Sequence, residues 1–161
     1  MNFVKAISLI LKQRNDLEFL IGGDGQLRDK IKKYLDDMNL NDKVKLTGWI
    51  PHDELTDCLN ELKLIVIPSN TETGPLIMLE SIACGTPVLA TSVGIVSNVI
   101  KDSETGFILK NNLPECIAEN VIRALGHIDL EGIVKNAREL VKKEFAYESA
   151  VERFRKVLEN I

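Results

Sequence analysis

The sequence predicts an α/β fold, a Rossmann-like open parallel sheet with helices on both faces. Three observations carry this. Short apolar runs alternate with longer amphipathic stretches along most of the 161 residues. One run, Leu64-Ile65-Val66-Ile67, contains no polar residue, as in a parallel strand covered on both faces. Glycine turns stand where a strand hands over to a helix, at Gly22-Gly23-Asp24-Gly25 and at Gly74-Pro75.

Each element follows from its spacing. Phe3 to Lys12 puts Phe3, Ala6, Ile7, Ile10 and Leu11 on one helical stripe. Leu17 to Ile21 reads as a short strand, and Gln26 to Met38 as a helix with Leu27, Ile31 and Leu35 on one face. Arg28 stands where a dinucleotide fingerprint needs its third glycine, so Gly22 to Gly25 reads as a tight turn. Lys43 to Thr47 alternates, with Val44 and Leu46 apolar, as a strand near a sheet edge. Gly48-Trp49-Ile50-Pro51 closes it, and Asp53 is expected to cap a helix from Glu54 to Leu62.

The Leu64 to Ile67 strand comes next, then a loop, a helix ending at Cys84, and a second buried strand, Val88 to Thr91. Ser92 to Ile100 reads as a loop with a short helical turn, Asp102 to Gly106 as a turn, and Phe107 to Leu109 as the last strand. Three helical patterns follow: Leu113 to Leu125 with Pro114 in its first turn, Leu130 to Phe145, and Glu148 to Leu158. Gly126 and Gly132 mark breaks. The stripe Ala150, Phe154, Val157 and Leu158 is expected to pack against the domain.

Composition narrows the function classes. The length fits one domain, residues 1–161. A net charge of −4 gives no reason to expect a nucleic-acid partner. Cys58, Cys84 and Cys116 form no Cys-x-x-Cys pair, and with two histidines no zinc or disulfide framework is expected. Cys84 reads as a buried small hydrophobe, and the chain as cytoplasmic. The apolar start is broken by Lys5 and Lys12, unlike a signal peptide, and no run reaches the length of a membrane span.

The candidate site is the stretch from Pro68 to Thr91. Two carboxylates, Glu72 and Glu80, bracket Gly74-Pro75. Pro75 suits a first helical position, where its missing N–H costs nothing. The amides of Leu76 and Ile77 then project from the helix start and, with the dipole, suit a diphosphate. Glu72 lies in the loop and can reach past the phosphates. Glu80 is about one turn inside the helix, where the dipole favours an anion. Alternatively, because Met78 and Leu79 flank it, its carboxylate needs partners such as ribose hydroxyls. Spacing alone leaves open a nucleotide or sugar phosphate site and a packing role. No Asp-x-Asp, P-loop or Gly-x-Ser-x-Gly elbow occurs.

Glu72-Thr73-Gly74-Pro75-Leu76-Ile77-Met78-Leu79-Glu80, followed by Ser81-Ile82-Ala83-Cys84-Gly85-Thr86-Pro87-Val88, resembles the Glu-x7-Glu signature of retaining glycosyltransferases with the two-domain GT-B fold. The group 1 (family 4) enzymes are the nearest match. Leu20 to Gly25, Val44 to Gly48, Thr105-Gly106-Phe107 and Phe145-Ala146-Tyr147 resemble further blocks of that family, in the same order. The resemblance implies transfer of a hexose from a UDP-, GDP- or ADP-linked sugar to a glycan, lipid or small-molecule acceptor, with retention, no metal bridge and no cofactor. This chain would be the donor-binding half.

In that half, the resemblance implies that Glu72 contacts the sugar as the catalytic carboxylate and Glu80 holds the ribose. The backbone at Thr73, Gly74, Pro75, Leu76 and Ile77 would hold sugar and diphosphate. Trp49 and Ile50 would line the base pocket, with packing against the sheet as the competing reading for Trp49. The chain departs from the family at Gly74-Pro75, Gly94-Ile95 and Asn98. The resemblance also implies a strand before Phe3, a basic turn after it, and an acceptor-binding N-terminal domain supplied in cis or trans. The chain is therefore expected to be a truncated chain, a partial gene product or one half of a split enzyme, to bind donor weakly alone and to transfer nothing. A peripheral membrane contact of the complete enzyme is a further implied surface. The alternative is a noncatalytic nucleotide-binding or interaction module built on the same fold.

Overall fold

The computed structural model describes residues 1–159, so the last two residues of the expected domain lie outside the described residues. The elements run α1 (Asn2–Leu11), β1 (Phe19–Gly22), α2 (Arg28–Asp37), β2 (Val44–Gly48), α3 (His52–Glu61), β3 (Ile65–Ile67) and α4 (Leu76–Cys84). They continue with β4 (Val88–Thr91), α5 (Val96–Val99), β5 (Phe107–Leu109), α6 (Pro114–Leu125), α7 (Leu130–Phe145) and α8 (Tyr147–Leu158). Every strand pair is parallel. The strands form two ladders rather than one continuous sheet, β1-β2 and β3-β4-β5.

Strand β4 organises the larger ladder. All four of its residues are buried. Successive side chains of a strand point to opposite faces. Leu89 therefore joins Ala6 and Ile10 of α1 and Ile117 and Val121 of α6 on one face. Val88 and Ala90 meet Met78 and Ile82 of α4, Val96 of α5 and Ala137 of α7 on the other. Helices thus cover both faces. Helix α1 also reaches the smaller ladder, where Val4 and Ile7 pack with Leu35 of α2 and Val44 of β2. One helix therefore bridges two ladders that share no strand pair.

Several expectations change. Of the apolar Leu64 to Ile67 run, only Ile67 is buried, and the strand begins at Ile65. β3 is an edge of its ladder, so among the described residues one side of it has no strand neighbour. Asp53 sits inside the first turn of α3 and makes no cap, because Pro51 already occupies the N-cap position. Gly132 does not break α7: its amide donates to the Asp129 carboxylate, which caps that helix. Cys84 is half-buried. The stripe on α8 does not pack down, since Phe154 is 73% exposed and Leu158 63%. Among the described residues no helix is long and apolar enough to cross a membrane.

The β5–α6 junction shows how polar groups close the core. Arg123 of α6 grips Asp102 with Nη2 to Oδ1 at 2.8 Å and Nη1 to Oδ2 at 3.0 Å. The amide of Ile108 donates to the same carboxylate at 2.8 Å. The guanidinium also lies 5.2 Å from the centre of the buried Phe107 ring. The Arg123 hydrogen bond is the largest cause holding the Asp102 carboxyl below its ordinary value, and the Ile108 amide adds to it. A depressed carboxyl pKa stabilises the fold above its unfolded value, and that stability is lost as pH falls through the folded value. Asp102→Asn should therefore lower the urea midpoint at neutral pH and flatten its fall below about pH 4. Phe107→Ala, which empties a fully buried site, should cost about 3–5 kcal/mol in urea denaturation.

Candidate functional site

The loop after β3 lies at the carboxyl ends of the strands, where open parallel sheets take ligands. Its shape is set by β4. The Thr91 hydroxyl donates to the carbonyl of Ser69 and reaches the carbonyl of Ile67 at 3.3 Å. The Ser69 hydroxyl donates to Glu72 Oε1 at 2.8 Å. Behind the loop, Gly94 has φ 56°. A Cβ there would collide with the Glu72 carbonyl oxygen, so only glycine lets the two backbones approach this closely. Ile95 closes on Gly74, its Cγ2 3.3 Å from where a Cβ on Gly74 would stand.

Helix α4 begins one residue later than expected. Pro75 is buried at the N-cap with φ −68° and ψ 105°, an extended conformation that starts the helix at Leu76. The amide of Met78 already donates to the Pro75 carbonyl at 2.9 Å. The amides of Leu76 and Ile77 precede that first bond and have no acceptor within the helix. Thr73 and Gly74 are exposed beside them, and the Leu76 side chain is also exposed. At the other end, Gly85 adopts the left-handed conformation at φ 86°, and the Thr86 amide returns to the Ser81 carbonyl at 2.9 Å. The Thr86 hydroxyl donates to the carbonyl of Leu59 at 2.6 Å, which fixes α4 against α3.

That contact brings Glu80 to the start of α3. Its side chain is 34% exposed, and Oε1 lies 3.9 Å from Nδ1 of His52. The carboxylate is thus partly open to solvent instead of being sealed among Met78 and Leu79. Trp49 is 82% exposed, which excludes packing against the sheet. Ile50 is half-buried, with Cδ1 3.1 Å from where a Cβ on Gly22 would stand. The amide of Gly23 donates to the Gly48 carbonyl at 2.6 Å, joining the two glycine turns. Arg28, which breaks the dinucleotide pattern, lays its guanidinium over Gly48 and pairs with Asp24 at 3.4 Å. A cleft of about 340 Å³ opens there, lined by Gly23, Gly25, Leu27, Arg28 and Leu46. A larger groove of about 910 Å³, lined by Lys63, Pro87, Val134 and Arg138, lies at the opposite, amino ends of β3 and β4.

The structure thus sets Thr73 to Ile77 at one helix start, Glu72 against Ser69, and Glu80 beside His52, two residues after Ile50. Sequence reasoning gave no structural role to Ser69, Thr91, Gly94, His52 or Arg28. Thr91 carried a signal, because a hydroxyl ending a wholly buried strand needs an acceptor. His52 carried none, since its contact with Glu80 exists only once α3 meets α4.

Comparison with known proteins decides the family. Residues 1–140 match the family model described as glycosyl transferases group 1. The chain belongs to the group 1 glycosyltransferases. An uncharacterized glycosyltransferase of Methanocaldococcus jannaschii is 28% identical over 160 residues, covering 98% of this chain and 45% of that protein. The D-inositol 3-phosphate glycosyltransferase 1 of Catenulispora acidiphila is 36% identical over 120 residues, 73% of this chain and 28% of that one. This group 1 chain therefore spans less than half the length of these relatives. A crystal structure of TarM from S. aureus, a mutant in complex with UDP, alpha-GlcNAc-glycerol and Fondaparinux, superposes with a TM-score of 0.83 at 28% identity. It covers 95% of this chain and 31% of TarM. The C-terminal domain of a group 1 glycosyltransferase from Francisella tularensis shares the fold, with a TM-score of 0.79 at 23% identity over 91% of this chain and 78% of that domain. The group 1 chain thus has the architecture of a C-terminal GT-B domain.

Thr91→Val tests the anchoring of the Glu72 loop. It withdraws the one hydroxyl that serves the Ser69 and Ile67 carbonyls, and should lower stability in thermal denaturation by about 1–3 kcal/mol.

Proposed function

We propose that this chain is the donor-binding domain of a retaining glycosyltransferase and that it holds a nucleotide sugar across the start of α4. The observation that carries the reading is the pair Glu72 and Glu80 on either side of the free amides of Leu76 and Ile77, at the carboxyl ends of parallel strands. Glu72 hydrogen-bonds the donor sugar and is the catalytic carboxylate. Thr73, Gly74 and Pro75 form the wall beside the sugar. The amides of Gly74, Leu76 and Ile77 meet the diphosphate in place of a metal ion, helped by the helix dipole. Glu80 takes two ribose hydroxyls side by side. Trp49 and Ile50 border the base, and the exposure of Trp49 leaves its ring free to lie against a purine or pyrimidine. UDP in the TarM crystal favours a uridine donor over a guanosine or adenosine one.

In this reading the complete enzyme works in the cytoplasm, and a second domain brings the acceptor. Among the described residues β1 and β3 each keep one side without a strand partner, and α1 lies across both ladders, which leaves room for one further parallel strand between them.

The single tryptophan makes the test direct. Trp49 emission should respond to UDP and to UDP-sugars more than to the GDP or ADP series. Glu80→Ala should weaken UDP by about tenfold or more, the worth of hydrogen bonds to a charged group. No response to any of the nucleotides, or a Glu80→Ala variant that binds like wild type, would overturn the assignment and leave a noncatalytic module.

A further inference from the structure

The turn between β4 and α5 buttresses the loop that carries Glu72, and this inference rests on the donor-site reading above. The loop from Ser69 to Pro75 is tied to that turn at both ends. At its start the Thr91 hydroxyl holds the Ser69 carbonyl. Near its end, the Gly94 backbone lies under the carbonyls of Glu72 and Thr73, with no room for a side chain. Ile95 covers Gly74 from behind. The turn itself is braced: the Val93 amide donates to the Thr91 carbonyl at 2.8 Å, the Asn98 amide to the Ile95 carbonyl at 3.0 Å, and the Ser97 hydroxyl to the Gly94 carbonyl at 3.3 Å. Ile95 also packs into the cluster of Met78, Val96 and Val99. A β-branched side chain has few rotamers, so a half-buried isoleucine makes a stiff wedge.

We propose that Ile95 is a positioning residue for the donor sugar. It presses on Gly74 so that Glu72 is held in its binding geometry before the donor arrives. A loop fixed in advance spares the ordering cost that binding would otherwise carry. The contact acts on the sugar end alone. Glu80, at the ribose end, stands on α4 with Oε1 3.9 Å from Nδ1 of His52 on α3, whereas Gly94 and Ile95 lie against Glu72, Thr73 and Gly74. Loss of Ile95 therefore weakens the sugar part of the donor and spares the nucleotide part.

The readout is the ratio of affinities for UDP-glucose and UDP, and for UDP-N-acetylglucosamine and UDP, measured by calorimetry on the 161-residue chain. Ile95→Ala should lower this ratio by about tenfold, comparable to freeing one or two ordered side chains, with UDP affinity little changed. Ile95→Val should restore it. Gly94→Ala, whose methyl would meet the Glu72 and Thr73 carbonyls first, should lower the same ratio. An unchanged ratio in Ile95→Ala, or an equal loss for UDP and its sugars, would overturn the role given to Ile95. A wild-type chain that does not bind UDP at all would instead overturn the donor site, and this inference with it.

Discussion

The site depends on one buried strand. β4 is covered on both faces, so its direction and register are fixed by packing that involves α1, α4, α5, α6 and α7. Its last residue, Thr91, is buried and polar, and its hydroxyl must find an acceptor. It finds the backbone of the neighbouring loop. A constraint that begins in the core thus ends as the position of Glu72. The same strand leads into the turn of Gly94 and Ile95, which supports the loop from behind. The loop carries few hydrophobic contacts of its own, and β4 supplies its order.

The two glutamates are held in different ways. Glu72 is in a loop, fixed by Ser69 and by backbone contact. Glu80 is on a helix, fixed by the docking of α4 on α3 through Thr86. Between them lies a helix start whose amides and dipole favour negative charge. This division suits a ligand with three chemically distinct parts. Hydroxyl-rich ends would meet carboxylates, and an anionic centre would meet N–H donors. His52 stands 3.9 Å from Glu80 at the start of α3, while Arg28 is engaged with Asp24 over Gly48.

Most of the fold was legible because it follows from local periodicity. Val88 to Thr91 and Phe107 to Leu109 were bounded as observed, the stripe of α1 faces the core with Ala6, Ile7 and Ile10 buried, and α6 and α7 fall where their patterns lay. The glutamates and the glycine turns were legible because they lie in one continuous stretch. What escaped depends on contacts distant in sequence. The exposure of β3 follows from an edge without a strand beside it, which a run of four apolar residues cannot report. The Glu80–His52 contact spans two helices. The Gly94 support of Glu72 requires knowing that two loops meet. On α8, an amphipathic stripe looks the same in sequence whether or not anything covers it.

The central claim is that Glu72 serves the sugar and Glu80 the ribose of one donor. The most direct measurement compares Glu72→Gln and Glu80→Gln in calorimetric titrations with UDP and with the matching UDP-sugar. The account predicts that Glu80→Gln weakens both ligands alike. Glu72→Gln should leave UDP untouched and erase only the extra affinity that the sugar contributes. Equal losses in the two variants, or a Glu72→Gln chain that binds the UDP-sugar as wild type does, would contradict it.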